Sequence, residues 1–204
     1  NRDCNAFTDD PFFNTTFIKQ NKIKSIKGAI STKRKLNPIK TRGLSTFYQF
    51  DENGDMELQY NTHFKGSKED TTVITYLYDD KKRLITKRRN DNYGFYSYNY
   101  EFDSTGQISN EKYCRDENAS TSKAEFKLGK QYIIVQESFE NEWVSDKELR
   151  RRYINNYGRP YQEKITLWDD KGYKVEEEVT LLMNSKKNKT TSEYDEKGRV
   201  IKKT

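Results

Sequence analysis

In the stretch FYSYNYEF, residues 95–102, ring side chains recur at every second position. Tyr96, Tyr98, Tyr100 and Phe102 share one side, and Ser97, Asn99 and Glu101 share the other. A period of two is the mark of a β-strand, whose successive side chains point to opposite faces. The same alternation in GYKVEEEVTLL (172–182) sets Tyr173, Val175, Val179 and Leu181 against Lys174, Glu176, Glu178 and Thr180. Glu177 is the one acid of that strand on the apolar parity, so it is the one expected to need a partner. Ile74, Tyr76 and Tyr78 repeat the pattern. At the N-terminus, residues 1–16 read as loop or a short helical turn and 21–31 as a strand, followed by a basic loop, STKRKLNPIK.

Between the alternating stretches one turn signal recurs: FDENGDM (50–56), YDDKKRL (78–84), FDSTGQI (102–108), WDDKGYK (168–174), YDEKGRV (194–200), and a degenerate INNYGRP (154–160). The common form is aromatic-Asp-x-x-Gly-x-apolar. Aspartate accepts hydrogen bonds from backbone just ahead of it and opens a type I turn. The glycine three residues later takes the left-handed conformation that reverses the chain into a hairpin. Asp51 with Gly54, Asp103 with Gly106, Asp169 with Gly172 and Asp195 with Gly198 are therefore assigned as structural turn pairs. In the second copy Lys82 replaces glycine, and the same turn there puts a lysine in the left-handed region at a cost of roughly 1 kcal/mol. The aromatic residue before the turn and the apolar residue after it are expected to face each other at the strand ends.

The glycine positions 54, 82, 106, 158, 172 and 198 are mostly spaced in the twenties. That is room for a strand, a loop, a second strand and the next turn. The short step from Gly158 to Gly172 fits one strand shared by two turns, and the long step from Gly106 to Gly158 fits an extra hairpin, placed at LGKQ (128–131). Polar connections are expected at KGSKED, NDNYG, RDENAST, FENEW and NSKKNK. The predicted fold is all-β: a single-domain, antiparallel, up-and-down meander of tandem β-hairpins with at least ten strands and little helix. Residues 1–43 form its basic N-terminal segment with a first strand, and 44–204 its hairpin repeats.

The units YLYDDKKRL and SEYDEKGRV resemble the Tyr-Asp repeat of the RHS and YD-repeat proteins over roughly residues 44–204, with MORN-type repeats as the second choice. The resemblance implies extended antiparallel sheet. The shell of the giant members needs far more repeats than this chain holds. Short bacterial envelope lipoproteins with such repeats are nearest in size, which implies a periplasmic, outer-membrane or cell-surface location. It also permits a lipid anchor upstream of the chain.

Composition narrows the reading. Only 32% of residues are hydrophobic and 34% are charged, while aromatics reach 14%. Burial of rings is what lifts such a polar chain out of the disordered class. The longest apolar runs, such as YIIV at 132–135, exclude a transmembrane helix within the chain. Between Pro11 and Phe50 there are nine cations and no acid. Lys19, Lys22, Lys24, Lys27, Lys33, Arg34 and Lys35 make a candidate polyanion patch for nucleic acid or anionic glycan. With no aromatic platform among these lysines, nucleic acid is disfavoured, and a solvated basic face is the plainer reading.

Chemistry-bearing motifs are weak. The DxNxD of residues 51–55 gives the first three positions of a calcium loop, but glycine comes fourth rather than sixth and Thr62 occupies the twelfth position, where glutamate is required. It reads as a turn. Adjacent carboxylates at Asp79–Asp80 and Asp169–Asp170 do not face one another across a cleft. His63 is the only histidine, with no nucleophile elbow or reactive-cysteine context. Cys4 and Cys114 match no metal spacing, and two unpaired thiols are favoured over a disulfide. The expectation is a protein that is not an enzyme and uses no cofactor, with a hydrolase as a residual alternative. Its candidate binding surface is the aromatic face of Tyr76, Tyr78, Tyr96, Tyr98 and Tyr100, joined by Tyr48 and Phe102, offered to a glycan or protein partner. The plainer reading makes that face the core.

Overall fold

The computed structural model describes residues 13–65, 68–120 and 126–204. After one short helix, α1 (Thr15–Gln20), come β1 (Ser25–Thr32), β2 (Lys40–Phe50), β3 (Met56–Lys65), β4 (Lys68–Tyr78), β5 (Leu84–Asp91) and β6 (Gly94–Phe102). They are followed by β7 (Ile108–Asn118), β8 (Leu128–Ser145), β9 (Glu148–Ile154), β10 (Pro160–Trp168), β11 (Lys174–Leu181), β12 (Lys186–Tyr194) and β13 (Val200–Lys203). The strands form one antiparallel sheet in chain order, β1 to β13. The fold is the all-β hairpin meander that the alternation and the turns predict. The residues gather into two compact units, Phe13–Tyr100 with Lys112–Val135, and Glu101–Glu111 with Gln136–Thr204.

All six turn signals close in the same way. In the first, the Gly54 N–H donates to the Asp51 carbonyl (3.1 Å), the Asp51 N–H donates to the Asp55 carbonyl (2.9 Å), and Gly54 has φ 85°. Asp51 Oδ1 accepts from the N–H groups of Asn53 and Asp55, both at 2.8 Å. Asp79, Asp103, Asn155, Asp169 and Asp195 repeat this pattern onto the residues two and four positions on. The local sequence supplies every partner, so the motif acts autonomously: a type I turn whose left-handed residue makes a bulge. Lys82 sits at φ 60° and its N–H reaches the Asp79 carbonyl at 2.8 Å, so the second copy is the same turn without glycine. The turn's flanking residues are Cα partners in Phe50–Met56, Tyr78–Leu84 and Tyr194–Val200. In the copy at 168–174 Trp168 faces Lys174.

Strand β10 is the one strand shared between two successive turns. The extra hairpin, however, does not turn at LGKQ. Those residues begin β8, an 18-residue strand that also contains all of FENEW, and the reversal comes after Ser145. Both segments are polar yet belong to a strand, because exposed strand positions accept polar side chains as readily as loops do.

Helix α1 begins at Asn14, whose side chain accepts the Phe17 N–H (3.0 Å). It ends with Lys22 at φ 51° and the Ile23 N–H on the Ile18 carbonyl (3.0 Å). Ile18 is buried. Phe13 packs edge-on against Tyr48 (4.9 Å) and Phe50 (5.0 Å). A methyl group at Gly54 would run into the Thr15 carbonyl and lie 3.1 Å from the Lys19 nitrogen, so this turn docks beneath the helix.

Cys114 is a free, fully buried thiol, with burial pushing its pKa up. Cys4 lies outside the described residues. Glu177 finds the partners its position requires, Lys164 (3.5 Å) and Lys174 (3.4 Å). Burial raises its pKa and these two cations more than offset that, leaving it lowered.

Candidate binding face

The tyrosines predicted as an aromatic face lie on strands β4 and β6, and β5 runs between them. The register decides what that means. Tyr76 faces Lys87, which faces Tyr98; one step along, Ile74 faces Arg89, which faces Tyr96. A row of cations therefore interrupts the expected tyrosine ladder. The Lys87 ammonium lies 6.0 Å from the centre of the Tyr76 ring, at the limit of a cation–π contact. Arg89 pairs with Asp91 on its own strand at 2.9 Å.

Beyond β6 the ladder resumes with a residue that alternation had not singled out, Tyr113 of β7. Its ring stacks on Tyr96 (6.0 Å, 17°) and lies against Tyr98 (4.8 Å, 32°). Burial, then the neighbouring Tyr98 and Tyr96 hydroxyls, push the Tyr113 phenol above its ordinary value. Exposure grades across the face: Tyr76 is 8% exposed and Tyr98 40%. Tyr76 donates to Gln59 Oε1 (3.1 Å) and Tyr78 to the Met56 carbonyl (3.0 Å). Burial, reinforced by Asp55 and Asp51, pushes the Tyr78 phenol up to about 12. Tyr76 and Tyr78 are thus structural, with their hydroxyls spent on strand β3, whereas Tyr96, Tyr98 and Tyr113 form a half-exposed cluster. Tyr100 continues their side of β6, half-buried.

The opposite side of the same strands holds the feature the sequence reading missed. Thr86 Oγ1 donates to Asn99 Oδ1 (3.0 Å), Asn99 to Ser97 Oγ (3.0 Å), and Ser97 to Asp116 Oδ1 (3.0 Å). Asp116 also accepts from Arg88 Nε (2.7 Å) and Gln131 Nε2 (2.8 Å). The Phe126 ring covers the guanidinium at 4.2 Å and meets Phe95 at 4.9 Å. Arg88, Ser97 and Asp116 are buried. Ser97 and Asn99 were legible as the polar face of their strand, but nothing in a linear pattern says that Arg88, 28 residues away from Asp116, closes over it. These side chains, from β5, β6, β7 and β8, are bonded to one another, which makes the cluster a cross-strand clamp.

The basic segment does not converge. Lys19 lies in the last turn of α1, Lys22 and Lys24 lie between α1 and β1, and Lys33, Arg34 and Lys35 follow the end of β1. Between the two groups runs an eight-residue strand, about 26 Å at a typical rise. Lys27 sits mid-strand. All seven are exposed, and among the described residues none pairs with a carboxylate. His63 stands opposite Asp70 (Nε2–Oδ2 3.6 Å) on open strand surface. Asp51 has both carboxylate oxygens committed, Oδ1 to backbone and Oδ2 to Asn53 Nδ2 (3.1 Å), so its turn leaves nothing aimed at an ion. Burial pushes its pKa up and the hydrogen bonds from Asp55 and Asn53 outweigh that, so it ends lowered. Among the described residues no group of three or more His, Cys, Asp or Glu side chains converges as metal ligands do.

No protein-family model matches the chain, and no curated protein matches it.

Proposed function

We propose that the chain is a non-catalytic binding module that presents the Tyr96–Tyr98–Tyr113 cluster to a glycan or protein partner. The observation carrying this reading is the cluster itself. Three rings are held in register on adjacent strands, partly open to solvent, with Lys87 and Arg89 in the next row. Aromatic residues held this way give a rigid contact surface at low entropic cost. The opposite side of the same strands is locked by the Arg88–Asp116 clamp, which keeps the platform in shape. The six identical turns are consistent with repeats of the YD type, and placing the protein at a bacterial cell envelope rests on that resemblance alone.

The test is an NMR titration with neutral and acidic oligosaccharides that follows the tyrosine ring signals. It is paired with capture of bound protein by a photo-crosslinker at position 98. The expected result is a saturable shift confined to Tyr96, Tyr98 and Tyr113, or a crosslink from position 98, with either one lost in Tyr113→Ala. Silence in both experiments overturns the proposal.

A second reading, polyanion binding through residues 19–42, is favoured by the absence, among the described residues, of carboxylate partners for the seven exposed cations. Heparin affinity that falls steeply as salt rises supports it, and absent or salt-independent affinity removes it.

A further inference from the structure

The cations that follow β1 meet others across the hairpin. Thr32 is the Cα partner of Lys40, so Lys33, Arg34 and Lys35 on one arm of the β1–β2 hairpin stand near Lys40 and Arg42 on the other. All five are exposed, and among the described residues none of them pairs with a carboxylate. The ladder between β1 and β2 runs as far as Lys40, whereas that between β2 and β3 runs only as far as Thr46, so the end of the hairpin extends past the β3 ladder. At the tip the Asn37 N–H donates to the Arg34 carbonyl (3.1 Å), and Leu36 takes φ 67°, a left-handed position that glycine or asparagine fills at least cost. Leu36 is 97% exposed and Ile39 65%. A leucine held in a disfavoured backbone conformation and buried against nothing contributes nothing to the fold.

Two aliphatic side chains at a projecting tip, flanked by five cations, are complementary to a layer of negative charge with an apolar phase directly behind it. Nucleic acid and anionic glycan supply the charge without the apolar phase. An anionic bilayer supplies both: the cations reach the headgroup phosphates while the aliphatic chains enter the acyl boundary. We propose that the tip of the β1–β2 hairpin, residues 33–42, is a membrane-surface anchor that inserts Leu36 and Ile39 into anionic lipid. The proposal rests on the polyanion reading for its cations, and goes beyond it in naming the partner and the two side chains that enter it. So small an apolar wedge makes the attachment peripheral and reversible.

The experiment is flotation of the full chain with vesicles of phosphatidylcholine alone, and of phosphatidylcholine and phosphatidylserine in equal parts, run beside heparin affinity. The wild type is expected to float with the mixed vesicles, not with phosphatidylcholine alone, and to be released as salt rises. Leu36→Gly with Ile39→Ser keeps every charge, and glycine suits φ 67°. This variant, checked for native fold by circular dichroism, should bind the mixed vesicles at least about tenfold more weakly while its heparin affinity is unchanged. Arg34→Gln with Lys35→Gln should weaken vesicle binding about twentyfold, at about fivefold for each cation near the surface. A wild type that floats with neither vesicle, or with both alike, overturns the proposal, and heparin binding that persists in that case leaves the polyanion reading standing. The proposal is equally overturned if the Leu36→Gly, Ile39→Ser variant floats as well as the wild type or loses heparin affinity to the same extent, or if the Arg34→Gln, Lys35→Gln variant is unaffected.

Discussion

Removing the carboxylate of Asp116 is the most informative perturbation of this fold. The side chain is fully enclosed, and it accepts from Arg88 Nε at 2.7 Å, Gln131 Nε2 at 2.8 Å and Ser97 Oγ at 3.0 Å. In Asp116→Ala the guanidinium of Arg88 stays buried beneath Phe126 with no counter-charge. Breaking one side of a buried ion pair costs about 3–5 kcal/mol. Against a total of about 5–15 kcal/mol for a folded domain, that is a large fraction. In urea, with a slope of about 2 kcal/mol/M, the unfolding midpoint should fall by about 2 M. The clamp reading makes a second demand. Arg88→Met with Asp116→Leu removes both charges and keeps apolar volume, so the double variant should be much more stable than the sum of the two single losses implies. Urea melts of the wild type, Arg88→Met, Asp116→Leu and the double variant supply the cycle. A loss below about 1 kcal/mol for Asp116→Ala, or strict additivity in the double variant, refutes the idea that these residues act as one buried unit.

The turns give three further expectations. Gly54→Ala must hold alanine at φ 85° against the Thr15 carbonyl, whereas Gly106→Ala meets open space at φ 83°. Thermal melts should show about 1 kcal/mol lost at Gly106 and clearly more at Gly54, and equal losses would mean that α1 does not dock there. Asp51, Asp79, Asp103 and Asp195 all titrate below their ordinary value of 3.8. They are therefore more acidic folded than unfolded. Their contribution is complete above that value and lost as pH falls through their folded values. Asp55 and Glu111, pushed up chiefly by burial, act in the opposite sense and are relieved as they protonate. Melting temperatures taken from about pH 7 to about pH 3 should hold or rise slightly before dropping at the acid end, and a decline already complete above pH 5 would contradict this. Added calcium should leave the melting temperature unchanged, because Asp51 already spends its oxygens on N–H donors. A shift of several degrees would reverse that assignment.

The parts of this structure that were legible in advance are those with short range. Each turn is complete within five residues, so aspartate, a left-handed position and a closing N–H could be read directly, even where lysine stands in for glycine at Lys82. Strand faces were legible from their period. The placement of LGKQ and FENEW failed for the converse reason. On a sheet with so much exposed surface, polarity no longer separates strand from loop, and the long β8 carries both kinds of residue.

What the sequence determined alone is the all-β meander, the positions of its six motif turns, and which side chains share a side of each strand. These depend on local hydrogen bonding and on the period of two. The tertiary structure decided what those sides meet. Pairing between strands puts Lys87 and Arg89 between the tyrosines of β4 and β6, brings Tyr113 onto Tyr96 and Tyr98, and closes Arg88 over Asp116. It also starts the pairing of β8 with β9 only at Ser138, although β8 begins at Leu128. Register and strand adjacency are properties of pairs of segments, and a pattern running along one segment carries no record of its neighbour.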